Sequence, residues 1–233
     1  MRIRFSRQTN QGLTLIEAVV VIFILAFIAM LLVPALLAPR YNYGPRLRCT
    51  NNLKQTALAI KVWAGDHNDK YPMAVSVTNG GAMELMETPD AWKIFQMMSN
   101  ELGTPKVIYC PADLAHGTCA TNFTDDLKNK ISYFIGADAT DANPQTLLSG
   151  DDNFLLNQSP VHPGLVTVTS PAQLEWDGDR HGSVTDQGWF NKPKKLGSGN
   201  IALTDGSVQG VTPIGLTNLV YNTGLATNRL VIP

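Results

Sequence analysis

One segment constrains this chain more than any other. Residues 13–37, LTLIEAVVVIFILAFIAMLLVPALL, are apolar throughout except for Glu17. A helix that is hydrophobic on every side has no solvent face, so it must be covered by protein or by lipid. At about 1.5 Å per residue, roughly 25 residues give about 37 Å of helix, enough to cross a bilayer core of about 30 Å. The preceding residues, MRIRFSRQTNQG, carry Arg2, Arg4 and Arg7 and no acid, and the flank after the run carries Arg40, Arg46 and Arg48. The basic leader predicts a cytoplasmic N-terminus with the rest of the chain translocated. The run is longer than the apolar core of a secretory signal peptide, and no A-x-A cleavage site with a polar flank follows it.

Glu17 is the informative exception. A carboxylate five residues into an apolar span is costly there and calls for a partner. A cut after Gly12 would free an α-amino group at Leu13. In a filament, Glu17 of one subunit could neutralise the Leu13 amine of its neighbour, and only one axial register would pair them.

The string Gly12-Leu13-Thr14-Leu15-Ile16-Glu17 resembles the cleavage site of type IV prepilins and type II secretion pseudopilins, usually written G-F-T-L-I-E. The resemblance implies cleavage after Gly12 by a membrane prepilin peptidase and methylation of Leu13 as the new N-terminal residue. It makes Glu17 the fifth mature residue, the assembly carboxylate, and Pro34 the twenty-second, where family members carry a helix-bending proline. Leu13 replaces the usual Phe. Loss of three leader arginines would take the side-chain charge from −1 to −4.

Beyond the run, Pro39 and Gly44-Pro45 predict a kink or break in the helix. Leu53, Ala57, Ile60 and Ala64, with Leu58 beside them, then define a helical stripe within 47–64 that packs on a sheet. Ala91, Ile94, Phe95, Met98 and Leu102 have helical spacing after Thr88-Pro89-Asp90. Short strands are expected at 107–110, 132–135, 147–148, 165–169 and 174–176, with a helical turn at 125–130. Asp205-Gly206 between NIALT and SVQGVT predicts a hairpin with a type I′ turn, a short helix follows over 214–221, and the TNRLVIP tail is extended.

The whole chain has 233 residues, 16% of them charged, and a net charge of −1. Near-neutrality excludes a nucleic-acid binder driven by phosphate attraction. Recurrent apolar runs exclude disorder as the main state. His67, His116, His162 and His181 are scattered and form no H-E-x-x-H set. His181 with Asp177 or Asp179 has the makings of an acid–base pair, but no nucleophile elbow or P-loop accompanies it, so no catalytic residue is expected. Asp151 and Asp152 in Gly-Asp-Asp-Asn, and Asp177-Gly178-Asp179, are hard oxygen ligands suited to calcium, or simply turn formers. Cys49–Cys110 and Cys110–Cys119 are both open as disulfides, with free thiols the alternative, and no C-x2-C pair suggests zinc.

A second resemblance covers the body. His181, the stretch Gly199 to Asp205-Gly206, Arg48-Cys49-x-Asn51-Asn52-Leu53-Lys54-Gln55 and Cys110-Pro111-Ala112-Asp113 resemble the H-x9-D-G group of prepilin-processed proteins. Here 23 residues separate His181 from Asp205 where the motif has nine. That resemblance favours the Cys49–Cys110 pairing, and major pseudopilins carry a calcium-stabilised loop in the part of the domain where Asp151 and Asp152 lie.

Together these imply a pilin-like α+β protein: a long membrane-spanning hydrophobic N-terminal helix followed by a small antiparallel-sheet globular domain. The expected organisation is a leader at 1–12, a transmembrane and assembly helix at 13–37, a linker and second helical part at 38–64, and an extracytoplasmic domain at 65–233. The expected function is that of a pseudopilin-like structural subunit of a type II secretion pseudopilus, resident in the inner membrane as a single-pass protein and in a filament after assembly. Its partners would be prepilin peptidase, other pseudopilin subunits in homo- and hetero-polymers, and an inner-membrane assembly platform. A type IV pilin, or a membrane-anchored binding or enzyme domain, is the alternative; calcium is the one candidate cofactor.

Overall fold

The computed structural model describes residues 14–37, 43–88, 90–124, 127–178, 180–181, 184–185 and 195–233. The chain divides into two compact units, 1–41 and 42–233.

The first unit contributes helix α1 (Leu15–Leu37). Thr14 and Glu17 open it as a capping box. Glu17 Oε2 accepts from the Thr14 backbone N–H and hydroxyl, both at 2.8 Å, and Thr14 Oγ1 accepts from the Glu17 N–H at 3.4 Å. The carboxylate therefore satisfies orphan donors of the first turn. The large apolar side chains from Leu15 to Met30 are 45–84% exposed.

Among the described residues, no helix is long and apolar enough to cross a membrane. This corrects the membrane-spanning helix and the single-pass inner-membrane placement expected from residues 13–37. Glu17 interrupts the apolar surface of α1 in its first turn.

The second unit is a mixed α+β fold. Its helices are α2 (Tyr43–Gly65), α3 (Trp92–Met97), α4 (Ser99–Leu102) and α5 (Pro213–Asn222). Its strands are β1 (Tyr133–Gly136), β2 (Leu147–Asp151), β3 (Phe154–Leu156), β4 (Ser159–Pro160), β5 (Gly164–Thr169), β6 (Leu174–Trp176), β7 (Val184–Thr185), β8 (Lys195–Leu196), β9 (Gly199–Leu203), β10 (Val208–Val211) and β11 (Thr227–Ile232). A six-stranded antiparallel sheet runs in the order β10-β9-β2-β1-β11-β5, and a second antiparallel sheet in the order β4-β3-β6. Strands β7 and β8 form a separate two-stranded ribbon. Two antiparallel sheets replace the single small sheet that the sequence suggested.

Period-two alternation divides the large sheet between two cores. Tyr133, Ile135, Leu148, Ala202 and Val231 join the cluster formed with α2, α3 and α4. Phe134, Leu147, Ile201, Leu203, Leu230 and Ile232 join Phe154, Leu174, Trp176 and α5 on the other side. The sheet is thus the middle layer of three. Gly136 sits where a Cβ would come within 1.8 Å of the Leu147 carbonyl oxygen, beside a register irregularity between Leu147 and Ser149. Only glycine allows strands β1 and β2 to approach that closely.

Helix α2 buries Leu53, Ala57, Ile60 and Ala64, together with Cys49, Thr56 and Trp63, while Leu58 is exposed. Full burial of a Leu or Ile side chain is worth about 1.5–3 kcal/mol, so this stripe fixes the helix to the sheet. The helix begins at Tyr43, earlier than the sequence suggested, because Pro45 falls in its first turn, where the missing N–H has no intrahelical partner anyway. Gly44-Pro45, where part of the break was expected, lie inside this helix, while Pro39 and the rest of residues 38–42 lie outside the described residues.

Other expectations shift at the turns. The 91–102 stripe is buried at Ala91, Ile94, Phe95, Met98 and Leu102, but it divides at Met98 into α3 and α4. Residues 105–108 form a 3-10 turn, capped by Thr104 Oγ1 on the Lys106 N–H, in place of a strand. The Asp205-Gly206 hairpin has φ +88° at Gly206 and no positive φ at Asp205, so it is not type I′. Gly206 N–H bonds to Leu203 O and Leu203 N–H to Ser207 O, each at 3.0 Å, the three-residue loop with a left-handed glycine. The 227–232 tail is extended, as its sequence suggested. As β11 it lies between β1 and β5.

Cys49 on α2 is joined to Cys110 by a disulfide that closes a separation of 61 residues. On the loop-entropy estimate such a closure is worth about 4 kcal/mol, and typical losses are about 2–4 kcal/mol. The Cys49→Ser/Cys110→Ser double variant should lose stability in that range in urea denaturation monitored by tryptophan fluorescence.

Candidate functional site

Charged residues are scarce in this chain, yet several are buried together where the central strands end. Strand β2 delivers Asp151 at its last position, paired across from Tyr133 on β1, and Asp152 follows. The turn after Cys110 delivers Asp113, whose N–H bonds back to Cys110 O at 2.8 Å. Asp113 Oδ1 accepts from Ala115 N–H at 3.0 Å, which holds His116 over the same spot. Arg180 and His181 arrive after β6, and Asn200 from β9.

Arg180 is the hub. Its Nη2 lies 3.0 Å from Asp113 Oδ2, and its Nη1 lies 2.8 Å from Asp152 Oδ1 and 3.9 Å from Asp151 Oδ1. Nη1 also donates to the Ser132 carbonyl at 3.1 Å. The Arg180 side chain is 5% exposed, and the three carboxylates 6% or less. His116 spans two of these acids, with Nδ1 at 2.6 Å from Asp113 Oδ2 and Nε2 at 3.6 Å from Asp152 Oδ2.

The electrostatics follow from this packing. Burial would raise the Asp113 carboxyl, but the hydrogen bond from His116 and the charge of Arg180 outweigh it and hold the group at about 2. Burial pushes the Asp152 carboxyl up, against the attraction of Arg180 and His116. The hydrogen bond to Asp113 raises His116, against its own partial burial. Burial works against the Arg180 charge, but Asp152, Asp151 and Asp113 together more than restore it. Three carboxyl groups and two histidines thus surround one arginine.

A second group adjoins the first. His181 Nε2 lies 2.8 Å from Asp151 Oδ2, 3.0 Å from Asn200 Nδ2 and 3.8 Å from Cys110 Sγ. Asp151 Oδ2 also accepts from the backbone N–H and side-chain amide of Asn200. Asn200 Oδ1 in turn accepts from Thr50 Oγ1 at 3.2 Å, which ties the group to α2. Among the described residues, the buried His181 Nδ1 and Asp151 Oδ1 find no hydrogen-bond partner.

Cysteine, histidine and aspartate do meet here, but not as a relay. The sulfur is held in the disulfide, and all contacts converge on Nε2. A triad needs one ring nitrogen for each neighbour. Two trios bring one ligand atom each within 4.8 Å of one another: Asp113, His116 and Asp152, and Cys49, Cys110 and His181. In the first trio the Arg180 guanidinium already bonds both carboxylates.

The sequence-derived candidates are therefore distributed as follows. Cys49 and Cys110 are bonded to each other, and Cys119 is free and partly exposed. Asp151 and Asp152 face Arg180, His181 and Asn200 in the interior, so neither serves as an ordinary surface turn former. The partner of His181 is Asp151, not Asp177; Asp179 lies outside the described residues. His67 stacks on Trp63 with ring centroids 3.5 Å apart, and His162 is exposed. Glu17 caps α1, and Pro34 lies within that helix. Gly12 and Leu13 lie outside the described residues. Arg180, His116 and Asn200 were missed, although Arg180 stands beside His181 in a chain poor in charge.

Removing the hub should be costly, because a buried charge left without its partner typically costs about 3–5 kcal/mol. Arg180→Gln is expected to lose stability of that order in urea denaturation. The His116–Asp113 pair adds a pH dependence. The raised pKa of His116 contributes stability that is complete below its unfolded value and is lost as pH rises through the folded one. The depressed Asp113 contributes stability above its unfolded value that is lost as pH falls toward about 2. His116→Gln should abolish the decline on the alkaline side, read as denaturation midpoints from mildly acidic to mildly alkaline pH.

No protein-family model matches this chain, and no curated protein or solved structure matches it either.

Proposed function

We propose that this chain is a pseudopilin-like structural subunit, cut by a prepilin peptidase after Gly12 and assembled through α1, with copies of itself and related subunits, into a type II secretion pseudopilus. The observation that carries this reading is the state of α1. Its apolar side chains from Leu15 to Met30 are exposed around the whole helix, with no polar face among them. Such a surface is stable only when covered, and helices of neighbouring subunits cover it at about 1.5–3 kcal/mol per large side chain buried.

Glu17 fits this assembly. In the single chain its carboxylate is held by Thr14, at the helix end where the macrodipole favours a negative charge. The box supplies hydrogen bonds but no positive charge. When the helix is enclosed by others, the Leu13 amine of an adjacent subunit supplies that charge next to the cap. The buried cluster and the disulfide of the second unit then serve to keep the head rigid.

The test is co-expression with a prepilin peptidase, followed by intact-mass measurement and N-terminal sequencing. The wild-type chain should lose residues 1–12 and begin at a methylated Leu13, and Gly12→Ala should retain the leader. Glu17→Ala should be cut normally yet enter filaments poorly in a shearing assay. A wild-type chain that still begins at Met1 beside an active peptidase would sink the reading.

A further inference from the structure

The contacts of His181 cannot all be satisfied by a neutral imidazole. With the proton on Nε2, the ring donates to Asp151 Oδ2 at 2.8 Å, but the Asn200 amide nitrogen, also a donor, stands 3.0 Å away, and the bare Nδ1 is buried without a donor. Turning the Asn200 amide would set its oxygen toward Nε2, but would leave the carboxylate of Asp151 without its amide bond and facing an amide oxygen. With the proton on Nδ1, that N–H is orphaned, and the Nε2 lone pair faces a carboxylate oxygen. Asp151 Oδ2 and Cys110 Sγ, two electron-rich atoms, both face the same ring nitrogen, an arrangement matched by a cation. Cys49 Sγ, Cys110 Sγ and His181 Nε2 lie within 4.8 Å of one another, and all three residues are buried.

We propose that the dithiol form of this protein, before Cys49 and Cys110 are oxidised to the disulfide, binds a zinc-class divalent cation through Cys49 Sγ, Cys110 Sγ and His181 Nε2. Its donors are two soft thiolates and an imidazole, the donor types that zinc favours. The cysteine Cα atoms are 4.7 Å apart, so both sulfurs stay within reach of one ion at a Zn–S distance of about 2.3 Å. Binding displaces the two thiol protons to solvent, and no electron moves. The site and the disulfide exclude each other, because the same two sulfurs serve both. Metal would hold α2 to the Cys110 turn in the newly made chain, and the disulfide takes over that tie on oxidation.

The test uses the full chain with Cys119→Ser, which removes the third thiol, kept reduced with a phosphine and titrated with Co²⁺. Tetrahedral d–d bands and a thiolate-to-cobalt charge-transfer band should appear and saturate at one equivalent, and Zn²⁺ should displace them. Zinc should also protect Cys49 and Cys110 from alkylation. The oxidised chain, which is folded and lacks thiolates, should give neither band. His181→Ala should weaken binding at least about tenfold, whereas His116→Gln should leave it unchanged. Absence of the charge-transfer band in the reduced chain would overturn the proposal. So would equal binding by the oxidised chain, or binding that survives His181→Ala and fails in His116→Gln.

Discussion

A guanidinium buried among three carboxylates is an arrangement that a fold must be built around. Desolvating one arginine and three aspartates costs several kcal/mol per ion, and geometry must repay it. Here the repayment requires four separate stretches of chain to be in register. Asp113 follows the Cys110 turn, Asp151 and Asp152 end β2, Arg180 follows β6, and Ser132 lends its carbonyl from the start of β1. No two of these stretches can shift without exposing a bare charge to a low-dielectric interior. The disulfide adds α2 to the same point, and Asn200 adds β9. The cluster therefore specifies arrangement more than it adds stability. A well-packed apolar substitute would hold the layers together without dictating which strand end meets which turn.

What could be read from the sequence was local. The α2 stripe of Leu53, Ala57, Ile60 and Ala64, and the alternation in SYFI and NIALT, follow from periodicity, and those residues are buried. The hairpin at Asp205-Gly206 was legible for the same reason, and only its turn type was misjudged, because Gly206 alone takes the left-handed φ. The split of the 91–102 helix and the 3-10 turn at 105–108 were not legible, since tertiary packing and Pro105 decide them. The charge cluster was the least legible of all. Asp151 and Asp152 stood out as acids close in sequence, which suggests a cation. Their actual cation is an arginine about 30 residues downstream, and no spacing rule encodes a contact made through sheet topology.

The two units present opposite physical problems. The second covers both faces of its large sheet with its own layers and pairs most of its buried charges with one another. The first leaves its described large apolar side chains, from Leu15 to Met30, exposed. Its single carboxylate is already committed to Thr14, so the helix end is prepared while the helix side is not.

The strand order carries a consequence for how the second unit is made. Strands β1 and β2 are neighbours in sequence and pair first by proximity, but each has its other edge covered by a distant segment: β2 by β9, some 50 residues on, and β1 by β11, nearly 100 residues on. Pairings of that range form slowly, because loop closure must precede any reward. Until both arrive, the hairpin that becomes the middle of the sheet has two open edges and two apolar faces, the kind of template to which a second nascent copy can add. The interval during synthesis between β2 and β11 is thus the time of greatest hazard for this chain, and the sheet's most protected strands at the end are its most vulnerable ones at the start.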